Sequence, residues 1–392
     1  MSPAGGLARR PDPATRLARD FDRFARELPR DFATHVRDAY RIDLGARYLG
    51  VPLPHPIGKG SGQLSLNPGQ LAEDAAAGLA FVVLKTVIAE DETGAQTMAA
   101  WAIHESRMRV ERRLAADGQS GWTVTWKGRG WDRSLDDYVA LVRAGADLTH
   151  AGRLLVVPSV KYHLPRLDEP FREAEYRHTT ARLAAAWGES PLLVEKDFSP
   201  TLAGDPLADD RAQILRWLAE VPRRIRAASP VPARVAMKLM NATFDDGFQR
   251  AMVVAAREAD TLVCFNRLFD RARGVAFGGW DLSARNLRVL AALPGGTPEL
   301  VGTGNVCSGR LILDYAARGC VSVALHTFFQ LPLTAYPATH GSRTQRALHA
   351  LVFHPQDGLV AGLLELEARG ALERRDGELH FLDVATRARR AD

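Results

Sequence analysis

Eight short apolar runs, each parted from the next by a longer amphipathic segment, constrain this chain more than any other feature. They are HPIGKGSG, LAFVVLKTV, LLVVPSVKY, PLLVEKDF, RVAMKLMN, TLVCFN, PELVGTGN and SVALHTFF, spread between Pro56 and Gln330. Runs of about five to eight Val, Leu, Ile and Ala residues read as parallel strands buried on both faces. Between them RSLDDYVALVRAGADL, DDRAQILRWLAEVPRRIRAA, FQRAMVVAAREA, SARNLRVLAAL and SGRLILDYAARG repeat apolar residues at i, i+3, i+4 and i+7. That is the period of a helix with one buried face. Units of this length predict an α/β chain folded as a (β/α)8 TIM barrel over residues 43–354; an open doubly wound sheet also satisfies the periodicity.

Two appendages flank the barrel. Residues 1–42 read as an N-terminal helical extension, with one or two polar helices over 13–40 broken near Pro29. They would cap the barrel bottom or lie near a membrane surface. The interleaved acids and bases of RLARDFDRFARELPRDF favour the cap, because a membrane-lying helix sets Lys and Arg against large apolar residues. Residues 355–392 read as a small helix-hairpin appendage turning at Arg375–Gly377, a candidate lid or homodimer contact. The longest insertion, 89–131, carries Trp101, Trp122, Trp126 and Trp131, and long loops on the top of a barrel are where substrate specificity tends to sit.

With 392 residues, 46% hydrophobic and 25% charged, the chain can bury one large core. No apolar run approaches the roughly 20 residues of a bilayer span, and the arginine-bearing N-terminus has no apolar core of a signal peptide, so neither a membrane span nor secretion is expected. Cys264, Cys307 and Cys320 show no CxxC spacing, which argues against disulfides, zinc or iron–sulfur chemistry and for a reducing cytoplasm. The net charge of +5 is not gathered into a stripe, which argues against nucleic-acid binding.

A barrel seats a cofactor phosphate on the loops after its last two strands. Here Gly302-Thr303-Gly304-Asn305 follows an apolar run and precedes a helix opening at Ser308, so the backbone can close on an anion and the helix N-terminus can add its dipole. The eighth run ends in Ala324-Leu325-His326-Thr327, which adds an imidazole and a hydroxyl, and Gly278-Gly279-Trp280-Asp281-Leu282-Ser283 leads into the helix before strand seven. Lys85, Lys161 and Lys238 are cations inside apolar runs, costly unless partnered, and together they suit an anionic ligand. Pairing of Lys238 with Asp245 or Asp246 is the structural alternative.

From about Asp43 to Gln330 these motifs, in this order, resemble the FMN barrel of dihydroorotate dehydrogenases and the related domain of dihydropyrimidine dehydrogenase. DLGARYLGVPLPHPIGKGSG is similar to the family's opening, with small residues under the flavin, here Gly60, Ser61 and Gly62. AGLAFVVLKTV resembles the second-strand motif, VAMKLMN the strand with the flavin-contacting lysine (Lys238), and CFN the strand ending in a cofactor- or substrate-contacting asparagine (Asn266). FGGWDLS and VGTGNV stand where the family has Gly-Gly-x-Ser-Gly and its phosphate turn, which implicates Gly278, Gly279, Gly302, Thr303, Gly304 and Asn305, beside His326 and Thr327. The resemblance implies FMN as cofactor, hydride transfer with a small cyclic or carboxylated substrate such as a dihydropyrimidine, and an electron acceptor that the sequence does not name. Lys238 at the isoalloxazine edge would stabilise charge at N1 and C2=O of reduced flavin, and Lys85 would contribute in the same sense.

The active-site loop departs from that pattern. Where the family reads Asn-x-Ser-Cys-Pro-Asn, this chain has Glu195-Lys196-Asp197-Phe198-Ser199-Pro200-Thr201. Aligned on the proline, Ser199 falls on the catalytic base; aligned on the strand, Asp197 replaces the asparagine and one residue is missing. A serine acts as a base only where a relay drains its proton. Asp197 would repel a substrate carboxylate unless a lysine such as Lys196 neutralises it, and Arg267 follows Asn266 where relatives carry a small hydroxyl. Lys161, Asp197, Asn266 and Arg267 are the candidate substrate contacts. Two other readings stand beside this one. A tRNA dihydrouridine synthase-like reductase would need a cationic tract that the acid-rich LLELEARGALERRDGEL does not provide. A catalytically inactive barrel could keep a flavin or phosphate pocket and serve as a binding or assembly protein.

Overall fold

The computed structural model describes residues 12–99, 108–114, 120–126, 130–189, 191–198, 210–242, 245–270, 275–278 and 280–390. Each of the eight apolar runs supplies parallel strand. The first gives β1 (Ile57–Lys59), the second β2 (Phe81–Val83) and β3 (Val87–Ile88), and the third β4 (Leu155–Val157) and β5 (Ser159–Lys161). The remaining five give β6 (Leu192–Asp197), β7 (Ala233–Met240), β8 (Thr261–Asn266), β9 (Glu299–Gly302) and β10 (Cys320–Leu325). Pro158 has no N–H to donate, which is where the third run breaks. The ten strands form one parallel sheet in the order β3-β5-β6-β7-β8-β9-β10-β1-β2-β4. It curls: Val83 pairs with Val157 at one end of that order, and Val87 pairs with Val160 from the same two runs at the other.

Helices α1 (Pro13–Phe24) and α2 (Phe32–Tyr40) precede the sheet, separated near Pro29 as the sequence predicts. Between and after the strands come α3 (Pro68–Ala76), α4 (Leu135–His150), α5 (Glu173–Trp187), α6 (Arg211–Ala228), α7 (Asp246–Ala255), α8 (Trp280–Ala291), α9 (Gly309–Ala316) and α10 (Arg343–Phe353). Their starts are written in the sequence: Asn67, Ser134, Asp210, Asp245, Ser308 and Ser342 each accept the backbone N–H three residues on. Such a cap satisfies a donor that the helix itself leaves unpaired.

The amino ends of the strands are closed by a hairpin, Ala46–Tyr48 against Val51–Leu53. Ser322 Oγ donates to Arg47 O (2.7 Å), Arg234 donates to Leu49 O (2.9 Å), and the buried Tyr48 ring stacks on Phe81 at 4.5 Å. The N-terminal helices border this end, with Phe32 against His55 (4.7 Å), while His349 of α10 bonds Phe21 O of α1 (2.8 Å).

The C-terminal segment differs from a helix and hairpin. After α11 (Leu359–Ala368) the expected turn forms as a bridge between Arg375 and Glu378. The chain then runs parallel to Ile42–Asp43 through Leu379–His380 and ends in α12 (Phe381–Arg390). Phe381, Val384 and Ala385 recur at helical spacing and are buried, which is why that stretch is helix and not strand. Within the long insertion, Met108–Leu114 and Ser120–Trp126 pair antiparallel, and Val275–Gly278 with Leu268–Asp270 extends them into a four-stranded sheet. Trp122 and Trp126 stand on this ribbon. Trp131 is buried with Nε1 donating to Ser134 O (2.9 Å), and Trp101 lies outside the described residues. Among the described residues no helix is long and apolar enough to cross a membrane.

Candidate functional site

The polar residues that the sequence singles out meet at the carboxyl ends of the strands. One cavity is lined by Gly60 and Ser61 after β1, Lys238 on β7, Asn266 and Arg267 at the end of β8, Thr303 to Val306 after β9, and Ala324 to Thr327 at the end of β10. Gly302 is the last residue of β9, immediately before this lining. Lys85, Lys161 and Asp197 adjoin it, since Lys85 feels the charges of Arg267, Asp197, Lys161 and Lys238. Gly278 ends a strand of the antiparallel sheet. Gly279 and Ser199 lie outside the described residues.

Four cations, Lys85, Lys161, Lys238 and Arg267, lie together, Lys85 feeling the other three and the carboxylate of Asp197. Lys85 is pushed down to about 8, first by burial and then by the neighbouring positive charges, against the pull of Asp197. His326 is driven well below its usual range by burial, then by Arg267, Lys238, Lys85 and Lys59, so it is a neutral imidazole at pH 7. The ring of His326 lies where a side chain on Gly62 would have to go, 1.8 Å from the position of an added Cβ, and Gln330 Nε2 is 3.2 Å from it. An excess of positive charge in a partly desolvated cleft attracts anions. Lys238 does not make the structural pair considered for it: Asp245 caps α7 and bonds Arg211 (3.2 Å), and Asp246 is held by Arg288 (2.7 Å). Lys196 sends its ammonium to the backbone oxygen of Asp197 (3.0 Å) and over the Phe198 ring (4.4 Å). The Asp197 carboxylate itself accepts from Thr86 Oγ1 (3.2 Å), which also bonds Ser61 Oγ (2.8 Å).

The loop after β9 is shaped to receive an anion. Gly304 has φ +100, and a Cβ there would come within 2.4 Å of Asn286 Nδ2 and 2.8 Å of Phe265 O, so only glycine fits. Asn305 follows at φ 54. The N–H groups of Gly304, Asn305 and Val306 meet no acceptor among the described residues, and the buried Asn305 Nδ2 has no hydrogen-bond partner. Buried donors are rarely left so unless a ligand completes them. Thr303 ties the loop down, its N–H to Cys264 O (2.9 Å) and its hydroxyl to Ala324 O (2.8 Å). At the start of α9, Ser308 Oγ takes Leu311 N (3.1 Å) and Asp357 O takes Arg310 N (3.0 Å), so two N–H groups of its first turn are already bonded within the protein. Residues 303–306 of the loop line the cavity.

Asn286 of α8 holds this loop and escapes the sequence reading. Its Nδ2 donates to Phe265 O (2.9 Å) and Thr303 O (2.8 Å), and its Oδ1 accepts from Asn241 Nδ2 (3.0 Å). Tyr315 OH adds bonds to Thr303 O (2.9 Å) and Gly304 O (3.0 Å). One signal was present: Asn286 lies at helical spacing from Leu282, Val289 and Leu290, a carboxamide in an apolar stripe. Neither the protein-family models nor the curated proteins searched give a match to this chain.

Proposed function

We propose that this protein is a cytoplasmic FMN-dependent oxidoreductase on a closed (β/α)8 barrel, moving hydride between flavin N5 and a small anionic substrate. Taking β2 with β3 and β4 with β5 as single strands turns the ten-strand order into eight, each beside the next in sequence and the last beside the first, which supports closure. The observation that carries the cofactor is the loop after β9, where three N–H groups unmatched among the described residues and the orphaned Asn305 amide belong to residues lining the same cleft as Lys238. That donor set fits a phosphate.

Bound FMN would supply two-electron hydride chemistry at N5. The chain's own residues do the rest. Residues 304–306 would hold the phosphate. Gly60 would leave room for the ring: a Cβ there meets Ala324 Cβ and Leu325 O at 3.8 Å and Ala324 O at 4.0 Å, all ordinary contacts, so packing within the protein does not demand glycine. Lys238 offsets negative charge gained in the cleft, and Lys85, Lys161 and Arg267 orient an anionic substrate group. Ser199, on the segment after β6, is the proposed base.

The anaerobic protein, mixed with a panel of dihydropyrimidines and related cyclic amides, should lose its flavin absorbance with at least one compound, and Ser199→Ala should slow that bleaching. A colourless protein that takes up no FMN would refute the cofactor. Gly60→Leu is expected to weaken FMN binding by roughly 10²-fold by filling the ring's space. Gly60→Ala should unfold within about 1 kcal/mol of the parent, which separates occlusion from misfolding.

A further inference from the structure

Behind the cavity a chain of hydroxyls leads inward to a carboxyl group that the proposed chemistry does not use. Ser61 Oγ, which lines the cavity, is 2.8 Å from Thr86 Oγ1. Thr86 Oγ1 is 3.1 Å from Ser159 Oγ, and Ser159 Oγ donates to Glu195 Oε1 at 3.2 Å. Tyr48 OH closes the column from the amino end, donating to Glu195 Oε2 at 3.1 Å. Glu195 and Ser159 are completely buried, and Thr86 nearly so. We propose that Glu195 is a proton store for the cavity, exchanging one proton with it through Ser159, Thr86 and Ser61.

Burial pushes Glu195 up to about 7. Lys238 on β7 opposes that rise, Asp197, on β6 with Glu195, adds to it, and the bonds from Tyr48 and Ser159 favour the ionised form. Tyr138 from α4 also faces it, its OH donating to Ser159 O. The carboxyl is therefore protonated below pH 7 and ionised above it, so it can give or take a proton under ordinary conditions.

Its part in turnover rests on the hydride-transfer reading. In the oxidising direction one C–H electron pair and its hydrogen would pass as hydride to a bound flavin. The electrons of the adjacent C–H bond would become the new π bond, and the proton taken by the base would be passed on to Ser61. Thr86 donates to Asp197 at rest, so its hydroxyl must first turn to Ser159 Oγ; each hydroxyl then takes one proton and passes its own inward, so that Ser61, Thr86 and Ser159 end as they began and the Glu195 carboxylate becomes a carboxylic acid. Reduction runs the same steps outward. Glu195 acts through the hydroxyls and is a positioning and relay residue.

The test is infrared difference spectroscopy of the full chain across pH. A carboxylic-acid C=O band titrating near pH 7, absent in Glu195→Gln, is expected. Tyr48→Phe should move the midpoint upward, a readout that remains if Glu195→Gln does not fold. In D2O, Thr86→Val should slow the isotope shift of the band by roughly tenfold or more, because the relay is cut. A band titrating in the ordinary carboxyl range, or one that survives Glu195→Gln and disappears in Asp197→Asn, would overturn the proposal. A protein that takes up no FMN yet shows the band keeps the proton store and loses the flavin reading.

Discussion

Asn286→Ala is expected to lower the unfolding free energy by about 3 kcal/mol, because it removes three hydrogen bonds to buried groups on three segments at once, although each group keeps one weaker or shared partner. Phe265 O loses the donor at 2.9 Å and Thr303 O the donor at 2.8 Å, and Asn241 Nδ2 loses its acceptor on α8. A buried group left unsatisfied costs about 1–3 kcal/mol, and the sum falls short of full additivity because Tyr315 still reaches Thr303 O. The measurement is chemical unfolding with the slope compared between parent and variant. The loop at 303–306 is held in shape by this amide, so affinity for a phosphate-bearing ligand should also fall by roughly tenfold. Asn286→Asp keeps the shape, removes both donor bonds and buries a charge, and should do no better. A loss below about 1 kcal/mol for both variants would mean that the loop is set by Thr303 and Tyr315 alone.

Lys238→Met should slow flavin reduction by roughly 10²-fold while preserving the fold. The side chain is 5% exposed and lines the cavity, and methionine matches its length without its charge. Two readouts separate a charge effect from damage. Lys238→Arg keeps the charge and should recover part of the rate. Glu195, which the ammonium pulls downward, should titrate at higher pH in Lys238→Met, a shift that does not depend on any substrate. An unchanged rate with an unchanged Glu195 midpoint would remove Lys238 from both roles. A moved midpoint with an unchanged rate would leave the electrostatics intact and retire Lys238 from the chemistry.

Much of the architecture was legible because local chemistry decides it. The eight apolar runs became parallel strand, and six side-chain caps marked helix starts three residues ahead of the N–H each one satisfies. Lys238, Asn266, Thr303 to Asn305 and His326 were legible for a related reason: polar or glycine residues at the ends of apolar runs share one end of a parallel sheet.

What the sequence by itself determined is therefore the alternation of strand and helix and the end of the sheet at which polar groups collect. Periodicity is a property of neighbours in the chain. Only the tertiary structure decided the partners. It assigned Asp245 to Arg211 and Asp246 to Arg288, leaving Lys238 to the cavity, and it bonded the first turn of α9 to Asp357. It turned the end of the C-terminal segment into a helix and joined Tyr48, Ser159 and Glu195, 147 residues apart at the extremes, in one buried column. A hydrogen bond depends on atoms within about 3 Å, and residues that distant in sequence reach it only when the whole sheet has curled.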